Sequence, residues 1–127
     1  MAIELNHTIV PAQDPKASAE FLASVLGLKV GAPVAHFTPV TLDNGVTLDY
    51  DAADEVEGHH YAFLVGEAEF EAAFGRIREA GIEYYADPGC RRVGEVYSGK
   101  NGSTGTYFRD PNGHLMEILT AGSAAQA

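Results

Sequence analysis

Tyr107-Phe108-Arg109-Asp110-Pro111-Asn112-Gly113-His114-Leu115-Met116-Glu117-Ile118-Leu119 reads as a strand, a tight turn and a second strand within thirteen residues. Proline fixes its own φ, and Asn-Gly tolerates the left-handed backbone that a sharp reversal needs, so Asp110–Gly113 is the turn. Side chains alternate faces along the strand predicted over His114–Leu119. Glu117 therefore points with Leu115 and Leu119, away from Met116 and Ile118. A carboxylate on an otherwise apolar face must be paired or bind a cation, because burying it alone is costly.

The same pattern occurs once before. Asp43-Asn44-Gly45 is a strong hairpin turn, and Val46-Thr47-Leu48 then leads to Asp49, so a carboxylate stands four residues after the turn glycine in both places. Upstream landmarks match too. His7 precedes Gly27 by 20 residues and His60 precedes Gly81 by 21. Between each pair lies an amphipathic helix. The first is capped by Asp14 with Pro15 behind it and striped by Phe21, Leu22, Val25 and Leu26; the second is striped by Phe70, Ala73, Phe74, Ile77 and Ala80. Strands are expected at Leu5–Val10, closed by Pro11, within Leu28–Leu42 (broken at Gly31 and Pro33), and at Val46–Tyr50. In the second half they are expected at His60–Val65, Ile82–Tyr85, Val93–Tyr97, Gly105–Phe108 and His114–Leu119. The acidic Asp51–Gly58 reads as a linker, and Ala121–Ala127 as a frayed tail.

The chain thus reads β-α-β-β-β twice, which makes the fold class α+β. At 127 residues there is room for one domain, with pseudo-repeats at about 2–50 and 58–120. The 46% hydrophobic share supports a core. Eighteen acidic against eight basic residues leave a net charge of −10, which argues against nucleic acid as a partner. The excess is concentrated in the first half, and no Lys or Arg occurs from Val30 to Gly75. No apolar run is long enough to span a membrane, and Met1–Glu4 leads directly into a strand without a signal-like segment, so a soluble, cytoplasmic protein is expected. The single cysteine, Cys90, has no partner for an internal disulfide and reads as a bystander.

His7 shares its strand face with Leu5 and Ile9, and His60 shares its face with Ala62 and Leu64, while His59 falls on the opposite side with Tyr61 and Phe63. If the halves are related by an approximate two-fold, His7, Asp49, His60 and Glu117 converge near its axis. Such a mixed nitrogen and oxygen set suits a divalent first-row ion: Fe, Mn, Ni, Co or Zn. A strand histidine taken singly is more often structural, and the repeat is what raises these two above that. His114, at the turn exit, reads as structural.

Leu5-Asn6-His7, Phe21 to Gly27-Leu28, His60-Tyr61-Ala62-Phe63 and the segment from Tyr107 to Glu117 together resemble the vicinal oxygen chelate superfamily of glyoxalase I, extradiol dioxygenases, methylmalonyl-CoA epimerase, fosfomycin resistance enzymes and bleomycin-binding proteins. The resemblance runs from about Glu4 to Ala121. It implies a curved, mostly antiparallel sheet around a metal cleft. Metal ligands are implied at His7, His60 and Glu117, with Asp49 where glyoxalase-like members place a fourth. It also implies a homodimer, in which the site lies within one chain or across two.

Metal chemistry of this kind stabilises negative charge on two neighbouring substrate oxygens. Tyr107 stands ten residues before Glu117, as in extradiol dioxygenases, but Ser98, Gly99 and Lys100 fill the window where those enzymes carry a histidine. Ile9 occupies the position of a fosfomycin-enzyme threonine. The expectation is therefore a metalloenzyme of lyase or isomerase type acting on a small molecule, with Glu117, Asp49 and Tyr107 as its catalytic groups. Two alternatives stand beside it: an extradiol-type dioxygenase, and a non-enzymatic drug-binding protein of the bleomycin-resistance kind. Tyr97, Phe37 and the Arg91-Arg92 pair are candidate pocket residues.

Overall fold

The computed structural model describes residues 2–99 and 101–121. Lys100 and residues 122–127, most of the expected tail, lie outside the described residues. The chain divides into two compact units, Met1–Val56 and Glu57–Ala127.

The first unit is built from β1 (His7–Ala12), α1 (Pro15–Leu26), β2 (Thr38–Thr41) and β3 (Thr47–Ala52), with the sheet order β1-β3-β2. The helix begins where its cap predicts. The Asp14 carboxylate accepts from Ala17 N at 3.1 Å, Pro15 takes the first turn, and Gly27 ends the helix in the left-handed conformation at φ 73°. Asp14→Ala is expected to destabilise the protein by about 1 kcal/mol, the usual worth of such a cap, measured by urea unfolding. Leu22, Ala19 and Val25 on α1 and Val10, Val40, Leu48 and Tyr50 on the strands are all buried, and they form this unit's core.

The segment and turn readings need three corrections here. Pro11 does not close the first strand; it lies inside β1 opposite Asp51. The reason is that β1 is an edge strand of its sheet, where a residue without an N–H leaves no ladder bond unmade on the open side. The Leu28–Leu42 stretch yields β2 alone, with Val30 reduced to an isolated bridge to Val40, because Gly31 and Pro33 interrupt it. Asp51 and Ala52 belong to β3, so the linker is shorter than the acidic composition suggests.

The second unit contains β4 (His60–Leu64), α2 (Glu67–Glu79), β5 (Tyr84–Tyr85), β6 (Tyr97–Ser98), β7 (Thr104–Arg109) and β8 (Leu115–Leu119). Its sheet runs β4-β8-β7-β5, with β6 also paired to β7. The β4–β8 and β1–β3 pairs are parallel and the other pairs antiparallel, so each sheet is mixed and neither is a closed barrel. Phe63, Met116, Ile118, Thr106 and Phe108 are buried on one face of this sheet, and Phe70, Ala73 and Ile77 are buried on α2. The Phe74 ring meets Tyr84 edge-on at 5.0 Å, with the Arg78 guanidinium 4.8 Å above it.

The decisive turn is held from inside. Asp110, 6% exposed, accepts from Asn112 N and from His114 N, each at 2.9 Å, and Gly113 takes φ 89°. His114 begins no strand. It is fully buried, and its Nδ1 accepts from the His59 backbone N–H at 3.0 Å, which ties the entry of β4 to the entry of β8.

Candidate functional site

Strand register decides which groups meet. In the parallel β4–β8 pair His60 lies opposite Leu115 and Ala62 opposite Glu117, while antiparallel pairing sets Tyr107 opposite Glu117 and Gly105 opposite Leu119. His60, Glu117, Tyr107 and Gly105 therefore share the sheet face away from the buried Met116, Ile118 and Phe108. Tyr97 on β6 is opposite Gly105.

On this face His60 Nε2 lies 3.0 Å from Glu117 Oε1. The Tyr97 hydroxyl donates to Glu117 Oε2 at 2.5 Å. Glu117 is 7% exposed, while the His60 side chain is 46% exposed, so the carboxylate is the buried member and the imidazole the open one. The Tyr107 ring stands 5.9 Å from the His60 ring and 5.6 Å from the Tyr97 ring. Burial, and then the hydrogen bond to Glu117, raises the Tyr97 phenol well above its ordinary range; burial, and then the charge of Glu117, raises Tyr107. Both phenols face the carboxylate as protonated donors.

In the first unit His7, Ile9, Thr47 and Asp49 occupy one face, with His7 opposite Thr47 and Ile9 opposite Asp49. His7 is exposed and its Nδ1 is 2.7 Å from Asn6 Oδ1; Asp49 is half-buried. Ile9 is 52% exposed. His36 Nε2 approaches Asp51, two residues beyond Asp49 on this face, at 3.4 Å.

Of the residues singled out by sequence, the second unit brings His60, Glu117 and Tyr107 together, and the first puts His7 and Asp49 on one sheet face. Among the described residues no group of three or more His, Cys, Asp or Glu side chains is gathered for a metal ion. The nitrogen donor of His60 against a buried carboxylate oxygen fits a first-row divalent ion as part of its ligand set. Arg92 pairs with Glu95 at 2.8 Å on the exposed rim, and the Arg91 and Arg92 backbone N–H groups are held by Asp87, whose carboxyl they keep below its usual range. The Arg91-Arg92 pair thus shapes a turn. What the sequence reading missed was the part played by Tyr97, taken there only for a pocket aromatic. Its signal was Gly105, a glycine inside a strand, which marks a close approach by another group.

The model of the Glyoxalase/Bleomycin resistance protein/Dioxygenase superfamily matches residues 4–118. The chain belongs to that superfamily. It is 55% identical to the solved structure titled Oxidase ChaP-H2, covering 94% of each chain with a TM-score of 0.91, and 52% identical to Oxidase ChaP-H1, covering 94% of this chain and 96% of that one at 0.90. It is also 30% identical to the Glutathione transferase FosA of Serratia marcescens, over 99% of this chain and 86% of that protein. All three are enzymes by name, which favours an enzyme over a drug-binding member of the superfamily. Among the described residues no helix is long and apolar enough to cross a membrane.

Proposed function

We propose that this superfamily member is a metal-dependent oxidase or oxygenase, acting on a small molecule that offers two neighbouring oxygens. The observation that carries this reading is the two-sided hold on Glu117, with His60 Nε2 at 3.0 Å from one oxygen and the Tyr97 hydroxyl at 2.5 Å from the other. A carboxylate so fixed and so buried suits a stationary ligand better than a base that swings on and off, which is what lyase or isomerase chemistry asks of it. The 55% identity to a chain titled an oxidase supports the same choice.

In this reading His60 and Glu117 hold the ion with His7 as third ligand, supplied by the same chain or by a second copy in a homodimer, and Asp49 stands at the fourth position. A divalent ion there supplies Lewis-acid stabilisation of charge developing on the chelated oxygens. Tyr107, beside His60, donates its phenolic proton toward a substrate oxygen. Ile9 and Ala62, on the two candidate faces, offer apolar surface to the body of the substrate.

The test is oxygen uptake by the metal-reconstituted protein with a panel of ortho-dihydroxy aromatics and hydroxyquinones. Turnover should consume oxygen, stop under nitrogen and be lost in His7→Ala and His60→Ala together with the metal. Product formation at the same rate without oxygen would overturn the oxidative reading in favour of lyase or isomerase chemistry. A protein that takes up no metal would overturn both.

A further inference from the structure

Gly105 is the second residue of β7, directly opposite Tyr97 on β6. A Cβ built on Gly105 would collide with the far end of the Tyr97 ring, at Cζ, Oη and Cε2. The ring therefore lies across the backbone of β7, and along this path its hydroxyl reaches Glu117 on β8, the next strand. Gly105 is itself buried and its backbone φ is not left-handed, so no turn or backbone strain calls for glycine there.

We propose that Gly105 is a positioning residue: by lacking a side chain it lets Tyr97 donate to Glu117 Oε2, which leaves Oε1, the oxygen facing His60, as the single carboxylate oxygen offered to a cation. This rests on the reading of His60 and Glu117 as metal ligands. Outer partners of a ligating group commonly change metal affinity by about 10–100-fold when removed. A carboxylate that binds through one oxygen also leaves one more coordination position open than one that binds through both. The atom that must yield to a larger residue at 105 is the tip of a rotatable side chain. The backbone thus stays in place, and the effect of Gly105→Ala falls on the Tyr97–Glu117 bond rather than on the sheet.

The experiment uses the full chain with Co(II) as the probe, measuring affinity by chelator competition, coordination by the visible absorption bands, and folding by circular dichroism. Tyr97→Phe and Gly105→Ala should each weaken Co(II) binding about 10–100-fold and shift the bands in the same sense. Combined, they should lose no more than Tyr97→Phe alone, the coupling expected of two residues acting through one bond. In Tyr97→Ala the collision is gone, so adding Gly105→Ala should change neither affinity nor thermal midpoint, which keeps the test open if Gly105→Ala alone folds poorly. Wild-type affinity and spectrum in Tyr97→Phe or in folded Gly105→Ala, or additive losses, would overturn the proposal while His60→Ala still abolishes binding. If His60→Ala binds Co(II) like the wild type, the metal-site reading fails and takes this proposal with it.

Discussion

Asp110→Ala should lower the unfolding free energy by about 3 kcal/mol, and the thermal midpoint by on the order of 10 °C. The carboxylate at 110 is 6% exposed and serves three donors: Asn112 N and His114 N at 2.9 Å, and Asn112 Nδ2 at 3.0 Å. Hydrogen bonds to a charged group contribute about 1.5–3 kcal/mol each, and they do not sum fully because they share one side chain. The His114 N–H is the decisive one. Its residue is wholly buried, so water cannot replace the lost acceptor without opening the turn. Asp110→Asn keeps an acceptor oxygen and should recover roughly half of the loss, whereas Asn112→Ala removes one donor at the edge of the cluster and should fall near 1 kcal/mol. Urea unfolding of the three variants checks the order. A loss below that of Asn112→Ala would mean that the Asp110 carboxylate does not anchor the hairpin. The same turn sets the start of β8, two residues before Glu117, so Asp110→Ala should also weaken metal binding.

That hairpin explains how much could be read from the sequence. Asp-Pro-Asn-Gly and Asp-Asn-Gly specify reversals by local chemistry, and the Asp14–Pro15 and Gly27 signals specify a helix start and stop, so these features need no tertiary information. Of the two turn glycines in the hairpins, Gly45 and Gly113 both take φ 89°. Asn44, a residue type that tolerates the left-handed conformation, does not adopt it, and the glycine alone completes the reversal. The faces of His60 and Glu117 followed from period two, which is equally local. The features that escaped depend on neighbours. Pro11 is harmless inside β1 only because β1 is an edge, and strand order is not a property of the strand. Tyr97 acts on a carboxylate twenty residues away because β6 and β8 flank the same stretch of β7. A sequence read for metal ligands finds histidines and carboxylates, but the phenol that orients one of them is chosen by sheet register, and its only trace in the sequence is a glycine on the strand between.

Glu117→Met should raise the stability of the metal-free protein and lower it relative to wild type once metal is added. In the metal-free chain Glu117 is a nearly buried carboxylate whose partners are the Tyr97 and Tyr107 hydroxyls and one half-exposed imidazole. Taking that charge out of water is expensive, and replacing buried polar networks with well-packed apolar residues is commonly neutral or stabilising by about 1–4 kcal/mol. Leu115 and Leu119 on the same face offer methionine apolar neighbours against which a flexible thioether packs readily. About 1 kcal/mol of gain is therefore expected without metal, less whatever the freed Tyr97 and Tyr107 hydroxyls forfeit. Metal reverses the order. A ligand at a hundredfold excess over its dissociation constant stabilises the form that binds it by about 2.7 kcal/mol, and Glu117→Met has no carboxylate with which to claim that gain. Thermal unfolding of both proteins, with chelator and then with Co(II), should show the variant melting higher in the first condition and lower in the second. A structural carboxylate would give a variant that is less stable in both conditions; a site that pays in stability for a cation gives the crossing.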